Sequence, residues 1–170
     1  MMNKGFTLVE TMVAITVLVV AIAAPLTLSS QSLFSAIYAK DQTTAFYLGQ
    51  EAIEIVRNQR DDNLLKYLDG SSTDWLDRIP TDSDFHVDVI DGSLYSCTSC
   101  LNTKLKYDGT FYNHQSGTDS RFSRSTEVEI DGTNINEATI TVKVEWQTGS
   151  FKKRTIELKE SIFNWVPPQS

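Results

Sequence analysis

The feature that most constrains this chain is a long uncharged run near its N-terminus. No charged residue occurs from Thr11 to Ala39, a stretch of 29 residues. A bilayer core of about 30 Å is spanned by a helix of roughly 20 apolar residues. The segment from Phe6 to Leu28 supplies 23 residues with a single charge, Glu10. We therefore expect a membrane-spanning helix at this end of the chain.

Three interpretations of this segment compete. Ala21-Ile22-Ala23 resembles a signal-peptidase site, which favours a cleaved secretory signal. The length and apolar character also suit a plain single-pass anchor. The third interpretation treats Met1-Met2-Asn3-Lys4-Gly5 as a short leader that is removed on its own.

Glu10 favours the third interpretation. A carboxylate in an apolar membrane helix costs about 2.5–3.5 kcal/mol at the helix centre and less near an end, so it needs a cationic partner. Cleavage after Gly5 frees the α-amino group of Phe6, which is mostly protonated at neutral pH. This amine can neutralise Glu10 within one chain or between chains. The alternative is that Glu10 snorkels towards the membrane edge.

The segment Lys4-Gly5-Phe6-Thr7-Leu8-Val9-Glu10, followed by the apolar run, resembles the processing motif of type IV prepilins. The resemblance implies that a membrane prepilin peptidase cleaves between Gly5 and Phe6 and methylates the new Phe6 amine. It also implies that Phe6 and Glu10 act in assembly, with Glu10 pairing with the Phe6 amine of a neighbouring subunit. Lys4 fits the positive-inside rule, which predicts a cytoplasmic leader and an extracytoplasmic C-terminal part.

A helical period continues beyond the apolar run. Apolar residues recur at Ala45, Leu48, Ala52 and Ile55, and Ile53 and Val56 widen this stripe. The helix is predicted to end near Arg60. A polar segment, residues 61–80, follows. Alternating apolar and polar residues then predict strands, with Asp108-Gly109 as a hairpin turn. The predicted strands cover residues 85–90, 104–107, 110–112, 127–130, 138–146 and 153–161.

These elements predict an α+β fold of pilin-like order. A long N-terminal helix has a membrane-spanning half and an outer half packed on an antiparallel β-sheet head. The predicted domains are the leader (1–5), a transmembrane or filament-core helix (6–30), an outer helix half (31–60) and a globular head (61–170). Within the pilin-like proteins, the head resembles those of minor pilins and minor pseudopilins.

Both cysteines of the chain, Cys97 and Cys100, lie in the predicted head. The predicted topology places them outside the cytoplasm, where disulfides persist, so a short-loop disulfide is the first interpretation. Free thiols, a zinc site completed by His86 and His114, and a redox pair are the alternatives. No βαβ pattern surrounds the two cysteines to favour the redox pair.

The acidic excess of the chain lies in one segment. The formal net charge is −7, and residues 61–91 contain nine acidic and two basic residues, which is also −7. Carboxylates are ligands that calcium prefers. Weak calcium candidates are Asp69, Asp74, Asp82 and Asp84. Since they lack EF-hand spacing, a solvated acidic loop is the alternative.

The negative net charge argues against general binding to nucleic acid. A local patch for DNA would have to come from Lys152, Lys153 and Arg154, with Arg121 and Arg124. Basic residues on a strand also serve as a solvated face or as edge protection. We therefore expect nucleic acid as a partner only in the setting of a competence pilus.

The sequence contains no nucleophile motif, phosphate loop or paired-carboxylate signature, so it is predicted not to be an enzyme and to need no cofactor beyond the calcium candidates. The resemblance implies a structural subunit of a type IV pilus (fimbrium), a type II secretion filament or a competence system. The implied partners are prepilin peptidase, other pilins or pseudopilins and a membrane assembly platform. The implied location is the bacterial inner or cytoplasmic membrane and then the filament. The alternative is a membrane-tethered extracytoplasmic module that binds DNA or calcium and does not polymerise.

Overall fold

A computed structural model of the chain describes residue 5 and residues 7–71, 74–149 and 152–165. The chain divides into two compact units, Met1–Lys40 and Asp41–Ser170. Helix α1, Leu8–Leu68, contributes residues to both units. A long N-terminal helix followed by an antiparallel sheet confirms the predicted α+β, pilin-like fold class.

The first unit contains the N-terminal part of α1. The helix continues through Pro25, although a proline removes one backbone hydrogen bond from the ladder. The Thr27 hydroxyl donates to the Ala23 carbonyl at 2.7 Å in the same turns. By length and composition this part of α1 is apolar enough to cross a membrane, and none of its most apolar window is buried within the structure.

In the part of the chain that the structure describes, the second unit is built on an antiparallel sheet of seven strands. The strands are β1 Phe85–Val87, β2 Leu94–Ser96, β3 Lys104–Tyr107, β4 Tyr112–Asn113, β5 Thr118–Ile130, β6 Glu137–Trp146 and β7 Arg154–Phe163. Strand β5 pairs with β6 along one side and with β1 and β3 along the other. Strand β7 pairs with β6, while β2 and β4 extend β1 and β3. A short 3-10 turn, Cys100–Asn102, follows β2.

The core of this unit lies between the sheet and the C-terminal half of α1. The predicted apolar face of β6 is buried at every position: Ala138, Ile140, Val142, Val144 and Trp146. The predicted helix stripe meets it, with Ala45, Ala52 and Val56 fully buried. Gly49 allows the helix to lie close to β7, because a Cβ at this position would be 2.5 Å from Leu158 Cδ1. The alternation of apolar and polar residues in β6 thus correctly predicted which face of the sheet is buried.

The helix ends later than the sequence predicted, at Leu68 instead of near Arg60. Asn63 is fully buried, and its Nδ2 donates to the carbonyls of Asp77 (2.6 Å) and Trp75 (3.3 Å). These contacts hold the following loop against the last helical turns. The helical turns after Arg60 are therefore stabilised by contacts with another segment. The polar local sequence does not predict these contacts.

Four strands differ from prediction by more than small shifts at their ends: β2 was not predicted, β4 covers Tyr112–Asn113 instead of 110–112, and β1 and β5 have different bounds. Strand β1 ends at Val87 because Asp88 Oδ1 accepts the Ile90 N–H at 2.9 Å, which forms a turn where the alternation predicted more strand. Strand β5 begins at Thr118, nine residues before the predicted start. Its middle is a run of buried polar residues, 123–126, which the apolar alternation rule does not detect.

Candidate functional site

The N-terminal end of α1 has a specific capping geometry. Thr7 lies just before the helix, and its Oγ1 accepts the Glu10 backbone N–H at 3.3 Å. The spacing Thr-x-x-Glu is that of a capping box, a signal that the sequence analysis missed. Glu10 therefore lies in the first turn, where the positive end of the helix dipole stabilises a carboxylate.

The surroundings of Glu10 are apolar and exposed. It is the only charged residue between Thr7 and Ala39. Its neighbours Leu8, Val9 and Met12 are 75%, 68% and 63% exposed. Gly5 is also exposed, whereas Lys4 and Phe6 lie outside the described residues. The predicted pairing of Glu10 with the Phe6 amine thus remains a prediction.

A family model, the prokaryotic N-terminal methylation motif, matches residues 1–24. The chain carries the prepilin-type motif of type IV pilins. The motif indicates a pilin-like or pseudopilin substrate of prepilin peptidase and implies assembly with other pilins. No curated protein and no solved structure matches the chain at a significant level.

A second candidate site in this pilin-like chain lies beside β1. Cys97 and Cys100 are joined in a disulfide with a Cα–Cα distance of 5.5 Å. A ring nitrogen of His86, on β1, and both sulfur atoms lie within 4.8 Å of one another. The His114 ring packs against the His86 ring with centroids 4.1 Å apart and the ring planes tilted by 41°. His86 and His114, which the sequence suggested only as alternative zinc ligands, therefore lie beside the two cysteines.

Both imidazoles of this cluster are held in the neutral form. Burial lowers the pKa of His114 to about 4, and the nearby His86 and Arg124 add to the shift. Burial is also the main cause that lowers the pKa of His86. At neutral pH each ring therefore keeps a nitrogen lone pair.

The four predicted calcium candidates occupy separate local environments. Asp74 Oδ1 accepts the Leu76 N–H at 2.9 Å, and Asp84 Oδ1 accepts the Ser125 hydroxyl at 2.7 Å. Asp69 and Asp82 are exposed. Within the described part of the chain, the one group of three or more potential metal ligands contains none of these aspartates. Calcium binding stays an untested prediction.

One residue of the predicted basic patch, Arg124, does not lie on the surface, and DNA contact by the others stays an untested prediction. Arg124 is fully buried, so it cannot contact DNA. Arg121 pairs with Asp41 at 2.8 Å, and Lys153 pairs with Glu145. Their positive charges are thereby matched by carboxylates of the same unit.

Proposed function

We propose that the chain is a minor pilin or pseudopilin, a structural subunit of a type IV pilus or a type II secretion-type filament. Prepilin peptidase would cleave between Gly5 and Phe6 and methylate the Phe6 amine. The mature helix would first anchor the subunit in the inner or cytoplasmic membrane, with the head outside the cytoplasm. It would then pack among the helices of neighbouring subunits.

The observation that carries the proposal is the position of Glu10 on α1. Its carboxylate lies in the first turn, and the apolar side chains around it are exposed. Exposed apolar surface of this extent marks contact with lipid or with other protein. A charge at such a surface is costly unless a partner cation neutralises it. The amine released at Phe6 of an adjacent subunit is a partner of the required charge.

Glu10 has two roles that one substitution can separate: it occupies the capping-box position of the helix, and it carries a negative charge. Glutamine at this position keeps the capping-box spacing but removes the charge. We expect Glu10→Gln to insert into membranes normally and to fall about tenfold or more in sheared filaments relative to wild type, since a lost charge pair in a low-dielectric setting exceeds 1.4 kcal/mol. Immunoblots of membrane and sheared-filament fractions measure both quantities.

Thr16→Val is the matched control on the same helix. Thr16 donates only to the Met12 carbonyl of its own helix, at 2.8 Å, so its replacement leaves the charge of Glu10 in place. It should enter filaments at the wild-type level. Normal incorporation of Glu10→Gln would contradict the proposed charge pair, whereas absence of the wild-type chain from sheared filaments would support the rival function, a membrane-tethered binding module that does not polymerise.

A further inference from the structure

All cysteines and histidines of this chain meet at one place in the fold. The chain has two of each. The antiparallel pairing Phe85↔Ser96 brings Cys97, directly after β2, next to His86. His114 follows β4 and is drawn to the same place because its backbone N–H donates to Asp88 Oδ2 at 3.1 Å. Three separate segments thus deliver four side chains that bind transition metals.

Three of the four ring nitrogens in this cluster lack a hydrogen-bond partner among the described residues, while the His86 ring also forms a hydrogen bond with the Arg124 backbone. His86 Nδ1 and both ring nitrogens of His114 are buried and have no hydrogen-bond partner among the described residues. A buried polar atom without a partner destabilises the folded state, and such atoms are rare in folded proteins. A metal ion that accepts these lone pairs would remove that cost.

The spacing fits a tetrahedral zinc site. Zinc binds thiolate at about 2.3 Å and imidazole at about 2.0–2.1 Å, which places tetrahedral ligand atoms roughly 3.3–3.8 Å apart. The His86 nitrogen and the two sulfur atoms already lie within 4.8 Å of one another. Cys-x-x-Cys is also the usual spacing for two zinc ligands from one loop. His114 is not one of these three neighbours, so its ring would have to turn from His86 toward the sulfur atoms to complete the geometry.

We propose that the reduced Cys97–Cys100 pair, together with His86 and His114, binds Zn²⁺ in a Cys₂His₂ site. The disulfide and the metal site are then alternative states of the same loop. A dithiol reductant supplies two electrons and two protons, breaks the sulfur–sulfur bond and itself becomes a disulfide. Zn²⁺ then displaces both thiol protons into solvent and forms two zinc–sulfur and two zinc–nitrogen bonds.

The hydrogen bonds around the cluster support this assignment. The Cys97 N–H donates to the Asp84 carbonyl at 3.0 Å, which fixes the start of the loop independently of the disulfide. Asp88 is fully buried and orients the backbone of His114. The loop should therefore keep its position when the disulfide is reduced.

The test uses the full chain in detergent micelles. The protein is reduced with a dithiol, separated from the reductant without oxygen, and titrated with Co²⁺ as a spectroscopic probe and then with Zn²⁺. We expect one Co²⁺ per chain, with the visible bands of tetrahedral cobalt and a thiolate charge-transfer band, and displacement by Zn²⁺. The oxidised protein should show neither band.

Variants identify the ligands. His86→Ala and His114→Ala should each weaken Zn²⁺ binding about tenfold or more. Cys97→Ser with Cys100→Ser should abolish the charge-transfer band. Asp131→Asn, an exposed carboxylate on the β5–β6 loop, is the control and should bind as wild type does. Unchanged affinity in the cysteine or histidine variants would overturn the proposal.

A measurement on the unmodified chain makes the test independent of how the variants fold. Excess Zn²⁺ should slow alkylation of the two reduced thiols about tenfold or more, since the nucleophilic lone pairs are then bound to metal. Equal alkylation rates with and without Zn²⁺, or a reduced wild type without a tetrahedral cobalt spectrum, would refute the site.

Discussion

Arg124 on β5 donates from Nη1 to Glu51 Oε2 on α1 at 3.0 Å, with the guanidinium fully buried. The same guanidinium donates to the carbonyl of Leu48 at 2.8 Å and to that of Val87 at 2.7 Å. One side chain therefore ties the helix to two strands. A buried charge is tolerated only when its partners and hydrogen bonds are in place, so this contact fixes the helix at one position on the sheet.

Removal of Arg124 should be strongly destabilising. Arg124→Ala leaves a carboxylate and two carbonyls without their donor, and we expect the free energy of unfolding to fall by about 3–5 kcal/mol. Urea denaturation of the full chain in micelles, followed by the fluorescence of the buried Trp75 and Trp146, measures the change.

Lys159→Ala is the control for this prediction. Lys159 pairs with Glu157 at 3.4 Å, and both side chains are exposed. An exposed pair contributes about 0–1 kcal/mol, so the variant should unfold close to wild type. Equal stability of the Arg124 and Lys159 variants would show that the buried contact does not hold the unit together.

Position 117 must be glycine for two reasons: its backbone conformation and the lack of room for a side chain. Its φ is +111°, and an added Cβ would lie 2.7 Å from the Asp108 nitrogen and still closer to the Tyr107 carbonyl. These are backbone atoms at the end of the β3–β5 pairing, where Tyr107 pairs with Thr118. Gly117→Ala should therefore lower the free energy of unfolding by about 2–4 kcal/mol.

Gly132 provides the matched comparison in the same denaturation experiment. Nothing lies within 4 Å of a Cβ added there, and its φ is not in the left-handed region. Gly132→Ala should be neutral or stabilise the chain by up to about 1 kcal/mol through the unfolded state. A similar loss in both variants would mean that the crowding at Gly117 is not the cause.

The stability that Asp108 gives to its hairpin turn should decrease at acidic pH. Its Oδ1 accepts the N–H groups of Phe111 and Thr110, each at 2.8 Å, and these bonds hold the pKa of Asp108 below its usual value, with Phe111 as the larger cause. A carboxyl group whose pKa is lower in the folded state adds stability above its unfolded pKa. That stability is lost as pH falls through the folded pKa.

Carboxyl NMR of the full chain in micelles measures this pKa directly. Asp108→Asn keeps an oxygen acceptor and removes the titration. Wild type should therefore exceed the Asn variant in stability at neutral pH, and the difference should close below the folded pKa of Asp108. A pKa at or above the usual aspartate value would contradict the assigned hydrogen bonds.

Processing of the N-terminus is testable by mass. We expect the mature chain to lack residues 1–5 and to carry one added methyl group on Phe6. Gly5→Val should leave the full-length mass, since a side chain before the cleaved bond would obstruct the peptidase. A mature chain that begins at Ala24 would establish ordinary secretion instead.

Sequence patterns correctly predicted those elements that are determined by residues close together in the chain. The apolar face of β6, the helix stripe from Ala45 to Val56 and the Asp108-Gly109 turn all follow from periodicity or turn chemistry. The long β5 was predicted only in its last part, because Ser123 to Thr126 are buried polar residues. Their burial is stable only because distant partners, such as Asp84 for Ser125, supply hydrogen bonds.

The sequence by itself determined the N-terminal part of this protein. Three features are contiguous in the chain: a cleavage motif, a carboxylate at Glu10 and an uncharged run. The function they indicate can therefore be inferred without the tertiary structure. Only the tertiary structure decided that Arg124 is buried and that His86 and His114 lie beside Cys97 and Cys100. These contacts join residues far apart in the chain, and their positions depend on strand register and helix packing, which no local pattern encodes.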